Sequence, residues 1–195
     1  MQKILTRKEQ EKRNRRNQLI IGIVLVGVMI LSTAGYAITS NEGGNSAEKK
    51  LNYNGVSFVY NSGYWYFSKG GNDFITRFNP KEIEGKSVLD VLKLNDYKDK
   101  ALYIAGNKSE SVFEIARNFN SNMVLRIQNA CISEKDCDEN LPIKDCSKDN
   151  VIVIKEPEQD EVESVYRVNN CVFIVANSSN QLEYTDAFLF KTFNI

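Results

Sequence analysis

Leu19–Ile38 reads LIIGIVLVGVMILSTAGYAI, twenty residues without a charge. As a helix rising ~1.5 Å per residue it would be about 30 Å long, the thickness of a bilayer's hydrocarbon core. A helix packed on one side of a soluble core carries a polar stripe, and this run has none. The expectation is a transmembrane helix over 19–38. Residues 1–18 hold seven Lys/Arg against Glu9 and Glu11, and an excess of cations keeps its flank in the cytoplasm. The sequence therefore predicts a basic cytoplasmic tail (1–18), a single-pass signal anchor, a flexible tether over 39–50 and an extracytoplasmic domain over 51–195 at the cytoplasmic membrane. A cleaved signal peptide is the rival, because Ser32-Thr33-Ala34 and Gly35-Tyr36-Ala37 offer small residues to a peptidase. The length of the apolar run and of the charged stretch before it favours the anchor. Gly22 and Gly27 lie five apart, not at the four-residue spacing of a close-packed helix pair.

The formal net charge of zero averages two segments of opposite sign. The basic tail is one; residues 51–195, with 16 Lys/Arg against 21 Asp/Glu, are the other. There is no histidine, which removes the commonest general base and zinc ligand but does not exclude paired-carboxylate or Ser–Lys chemistry. No Gly-rich phosphate loop, GxSxG elbow or basic–aromatic nucleic-acid patch appears. No catalytic residue, metal ligand or cofactor is assigned, and the expected partners are the membrane and another envelope or membrane protein, not nucleic acid.

The domain reads as α+β: an antiparallel three-stranded meander leading into a mixed sheet with helices packed on one face. The expected meander strands are Leu51–Tyr60, Tyr64–Ser68 and Asp73–Phe78. Nine of the chain's twenty aromatics fall between Tyr53 and Phe78. Tyr64, Trp65, Tyr66 and Phe67 place aromatics on both faces of one strand and form the candidate contact surface, although a sheet packed on both sides with Tyr hydroxyls at the rim is the favoured explanation. Further strands are expected at Ala101–Gly106, Met123–Ala130 and Val151–Ile154, with a hairpin of Glu161–Val168 and Cys171–Ala176 around Asn169-Asn170. One helix is expected up to Phe119 with Val112, Phe113, Ala116 and Phe119 on its buried face. Another begins after Ser179, with Leu182, Thr185, Leu189 and Phe193 on one face and Asn180 with Glu183 as a capping pair.

Cys131, Cys137, Cys146 and Cys171 all lie beyond the apolar run, where disulfides form and persist. Without a CxxC, zinc and redox-active readings are poor. Three pairings are open, and Cys131–Cys137 with Cys146–Cys171 is preferred. Asn107-Lys108-Ser109 and Asn177-Ser178-Ser179 are N-glycosylation sequons that also sit where helices need caps. Acidic runs at Asp136–Asn140 and Glu156–Glu163 lack EF-hand order and read as solvated loops rather than calcium sites.

Asn79-Pro80-Lys81-Glu82-Ile83, Asn170-Cys171-Val172-Phe173-Ile174 and Thr185-Asp186-Ala187-Phe188-Leu189-Phe190-Lys191 resemble segments of an uncharacterised family of small, single-pass, membrane-anchored archaeal-type proteins. The resemblance implies an anchor followed by an extracytoplasmic α+β domain, and it implies no substrate, cofactor or catalytic residue. The expected function is a non-catalytic binding or scaffolding module of the cell envelope. The alternatives are an envelope hydrolase using two of Glu82, Glu84, Asp90 and Asp186, or a small subunit of a larger membrane complex.

Overall fold

Three two-residue turns organise the first sheet: Asn54-Gly55, Ser62-Gly63 and Gly70-Gly71. All six residues have positive φ, as the tightest hairpin turn requires, because its twist matches that of the strands it joins. The computed structural model describes residues 14–30, 49–107, 109–119, 123–135 and 137–195. The chain divides into two compact units, Met1–Ala47 and Glu48–Ile195.

In the first unit residues 14–30 form a helix, α1. Its apolar side chains are exposed all round, from Ile20 at 52% to Met29 at 70%. No helix among the described residues is long and apolar enough to cross a membrane. Of the run expected to span, 19–30 belong to α1 and 31–38 lie outside the described residues.

The second unit is α+β. The meander has four strands, β1 (Lys49–Tyr53), β2 (Val56–Asn61), β3 (Tyr64–Lys69) and β4 (Asn72–Thr76), paired antiparallel in that order. This corrects the three strands expected. The apolar positions of Leu51–Tyr60 change parity between Tyr53 and Val56, where Asn54 and Gly55 fold the stretch into a hairpin with Tyr53 opposite Val56. The first strand also begins at Lys49, inside the stretch read as a tether.

The second sheet contains β5 (Ala101–Ala105), β6 (Arg126–Asn129), β7 (Asn150–Lys155), β8 (Ser164–Val168) and β9 (Cys171–Val175), ordered β6-β5-β7-β9-β8. All neighbours are parallel except the β8–β9 hairpin, which turns at Asn169-Asn170. Three helices complete the unit: α2 (Leu94–Tyr97), α3 (Glu110–Asn118) and α4 (Gln181–Thr192).

One main core joins both sheets through α3 and α4. Phe58, Phe67 and Phe74 stand opposite one another across β2, β3 and β4. Phe190 of α4 packs on Phe58 and Phe67, and Phe193 on Phe74. From the mixed sheet Leu102, Ile104, Ile152, Val172 and Ile174 enter the same cluster. Because both sheets press on α4, Tyr184 through Phe190 are buried without a break, where the sequence pattern suggested one buried face. The α3 face differs too. Ser111, Val112, Glu114, Ile115 and Asn118 are buried, whereas Phe113 is 66% exposed.

The opposite face of the mixed sheet is covered by the β6–β7 crossing, over a smaller cluster containing Tyr103, Ala105, Val151, Val153 and Cys171. Disulfides Cys131–Cys137 and Cys146–Cys171 staple this crossing. By chain entropy alone they contribute roughly 2 and 3.5 kcal/mol.

Candidate functional site

Edge strands leave backbone groups unpaired, and β4 resolves this with side chains rather than with a fifth strand. Asn118 accepts from Ile75 N–H (2.9 Å) and donates back to Ile75 C=O (2.6 Å), as a peptide group would. Glu114 Oε1 accepts from Arg77 N–H (3.0 Å) and Asp186 Oδ2 from Phe78 N–H (2.8 Å). Glu82 accepts from Asn79 N–H (2.8 Å), closing the turn at Asn79-Pro80. Thus Glu114, Asn118 and Asp186, all buried, hold Ile75–Phe78 in place. Asp186 is fully buried, and desolvation pushes its carboxyl up to about 8.

That lock places two arginines. Glu114 holds the Arg77 backbone through one oxygen and forms an ion pair with the Arg117 guanidinium through the other. The Arg77 guanidinium donates to Gly63 C=O (2.8 Å). This turn needs glycine for its φ of +90°, and a Cβ at Gly63 would stand 2.9 Å from that guanidinium and push it aside. Both guanidiniums lie over the Tyr64 ring, Arg117 at 4.7 Å and Arg77 at 5.5 Å from its centre. Together with Glu110, Phe113, Glu114 and Leu182 they line a cleft of about 270 Å³.

Arg117 also lines a second, larger cleft of about 510 Å³ on the outer face of the meander. Its floor is the cross-strand row Val59–Tyr66–Ile75, flanked by Ser57 and Asp73. The two clefts therefore form one surface hinged on Arg117. The four aromatics expected as a contact surface divide between its two sides. Tyr64 and Tyr66 face this surface, with Tyr66 38% exposed, whereas Trp65 and Phe67 are core residues at 6% and 4%. Strand alternation forces that split, since neighbouring side chains take opposite faces.

A third cleft, about 580 Å³, lies at the carboxyl ends of β5 and β7, where parallel sheets commonly take ligands. Most of its polar groups already have partners, although the Ser109 hydroxyl on its wall is buried without one among the described residues. Lys155 pairs with Glu161 (2.9 Å), Ser178 donates to Glu156, and Gln181 donates to Ala176 C=O (3.2 Å). The sequon asparagines flank it. Asn107 lines the cleft and is exposed; Asn177 is exposed with its amide donating to Glu163 (2.8 Å). Neither sequon supplies a side-chain helix cap: Ser109 makes no cap bond, and Asn180 donates to Glu163 instead.

The carboxylates considered for hydrolysis do not share an open cleft. Asp186 is fully buried, Asp90 pairs with Arg167 (2.8 Å), Glu82 closes its turn, and Glu84 is exposed. Among the described residues no group of three or more His, Cys, Asp or Glu could hold a metal ion; Asp136 lies outside them. Of the acidic run, Glu161 serves Lys155 and the Glu158 N–H, and Glu163 serves Asn177 and Asn180.

The Arg77–Arg117 pair was missed in the sequence because its members are forty residues apart and only β4 docking against α3 unites them. A buried-face count on α3 that left Glu114 and Arg117 as solvent residues gave no signal of it. No protein-family model matches the chain, and neither a curated protein nor a solved structure is significantly similar to it.

Proposed function

We propose that this protein is a membrane-anchored envelope protein, N-terminus inside, whose extracytoplasmic domain is a binding or scaffolding module. The observation that carries the reading is the continuous surface of Tyr64, Arg77, Arg117, Phe113 and the Tyr66 row. It combines exposed aromatics with positioned guanidiniums, the side chains that dominate protein recognition sites. The anchor rests on the uncharged run, its basic flank and the outward apolar side chains of α1. The compartment rests on the two disulfides. The buried carboxylates support a binding role, because Asp186 holds Phe78 N–H and Glu114 is spent on Arg77 N–H and the Arg117 guanidinium.

Photocrosslinking in native membranes tests it. A p-benzoylphenylalanine at Tyr66 should capture a defined partner, while one at Leu89, 70% exposed outside either cleft, should not. Equal or absent capture at both positions would remove the binding surface. Swapping α1 for an unrelated apolar helix separates this reading from an accessory subunit, since only the subunit should then lose its association. Resistance of the full chain to alkaline extraction, and protection of the domain from external protease in sealed inside-out vesicles, check the anchor and its direction.

A further inference from the structure

We propose that the Arg77–Tyr64–Arg117 cleft is a carboxylate subsite that takes an acidic side chain of a partner peptide, with an apolar neighbour of that residue on Phe113 and Leu182. The inference rests on the binding-module reading and adds the chemistry of the partner.

Both guanidiniums are held before any ligand arrives. Arg77 is fixed by Gly63 C=O and the Tyr64 ring, and Arg117 by Glu114 and the same ring. A guanidinium carries five N–H donors, and these anchors use one donor on each arginine, leaving the rest for a planar, two-oxygen acceptor. Preorganisation of this kind lowers the entropy lost on binding. Glu114 stands on the wall of the same cleft, but its two oxygens are spent on Arg77 N–H and one Arg117 donor and its side chain is 3% exposed, which leaves the remaining guanidinium donors to a ligand. Glu110, exposed on the same cleft, disfavours a ligand with several negative charges such as a phosphate and favours a single carboxylate. Phe113 at 66% exposure and Leu182 give that carboxylate an apolar shoulder. An exposed phenylalanine on a helix whose polar Glu114 and Asn118 are buried is unexplained by folding alone.

The test is an NMR titration of the full chain in lipid nanodiscs, following the arginine side-chain Nε–H resonances. The probes are the blocked dipeptides acetyl-Phe-Asp-amide and acetyl-Phe-Asn-amide, which differ only in charge. Saturable shifts of the Arg77 and Arg117 signals are expected with the aspartyl probe and at least tenfold weaker binding with the asparaginyl one. R77Q should weaken the aspartyl probe at least tenfold, and so should raising the salt tenfold. Because R117Q would strip the buried Glu114 of its partner, F113S, on an exposed position, provides the second variant and should weaken binding several-fold. Equal affinity for both probes, no saturable shift, or indifference to R77Q and F113S would each overturn the subsite. Capture at Tyr66 with a failed titration would leave the binding module standing and remove only the carboxylate subsite.

Discussion

Asp186 sits where desolvation outweighs the one backbone amide it accepts from, so its carboxyl stays protonated at neutral pH. The unfolded chain releases that proton near pH 4, whereas the folded chain keeps it to about 8. Between those values the folded state binds more protons, so stability falls as pH rises, by up to about 1.4 kcal/mol per pH unit from this group. Thermal melts from pH 5 to 8 should show Tm falling for the native protein, and D186N should flatten the profile. An unchanged slope in D186N would place the titration elsewhere. Glu163 works in the opposite sense. Hydrogen bonds from Asn177 N–H and the Asn180 amide hold its carboxyl below the usual range. Its contribution is present above about pH 4.5 and is lost as the pH falls through the lowered value. E163Q should therefore lower Tm at pH 7, with the difference shrinking towards pH 3.

Among the elements, β4 depends most on its neighbours' side chains. Replacing Asn118 by alanine leaves Ile75 N–H and C=O without partners in a half-buried setting, a cost of about 2 kcal/mol. Urea unfolding of N118A should show that loss, and hydrogen exchange at Ile75 and Arg77 should rise before that of β7. β7 and β9 were legible in the sequence because VIVI and CVFIV are short apolar runs bounded by polar turns, the pattern of strands buried on both faces. The β8–β9 hairpin was legible from Asn169-Asn170, since asparagine tolerates positive φ. The split of Leu51–Tyr60 was legible too, though not read: the apolar positions change parity between Tyr53 and Val56, and Asn54-Gly55 between them is the sequence of a tight hairpin turn. Helix faces failed for a different reason. Glu114, Asn118 and Asp186 look like solvent residues in any periodicity count, and only a strand edge brought from elsewhere makes burying them favourable. The candidate cleft shares that non-local origin, with Tyr64 from one strand, Arg77 from beyond another, and Arg117 from a helix.

For the whole domain, the disulfides differ in what they restrain. Cys131–Cys137 closes a short loop within the β6–β7 crossing, while Cys146–Cys171 ties that crossing to the buried start of β9. Replacing both members by alanine should lower stability by about 3 to 4 kcal/mol for the longer bridge and about 2 for the shorter. Urea midpoints of the two double variants, at equal slope, measure the difference. A larger effect from the short loop would mean that the crossing, not the chain entropy, sets the balance.

The last element of the fold is also its middle. Both sheets press on α4, so until residues 181–195 emerge only α3 is left to join them, and Phe58, Phe67 and the mixed sheet lack the helix they pack against. Closure of the core is then a late event in synthesis, and before it a broad apolar face of each sheet stays open to water.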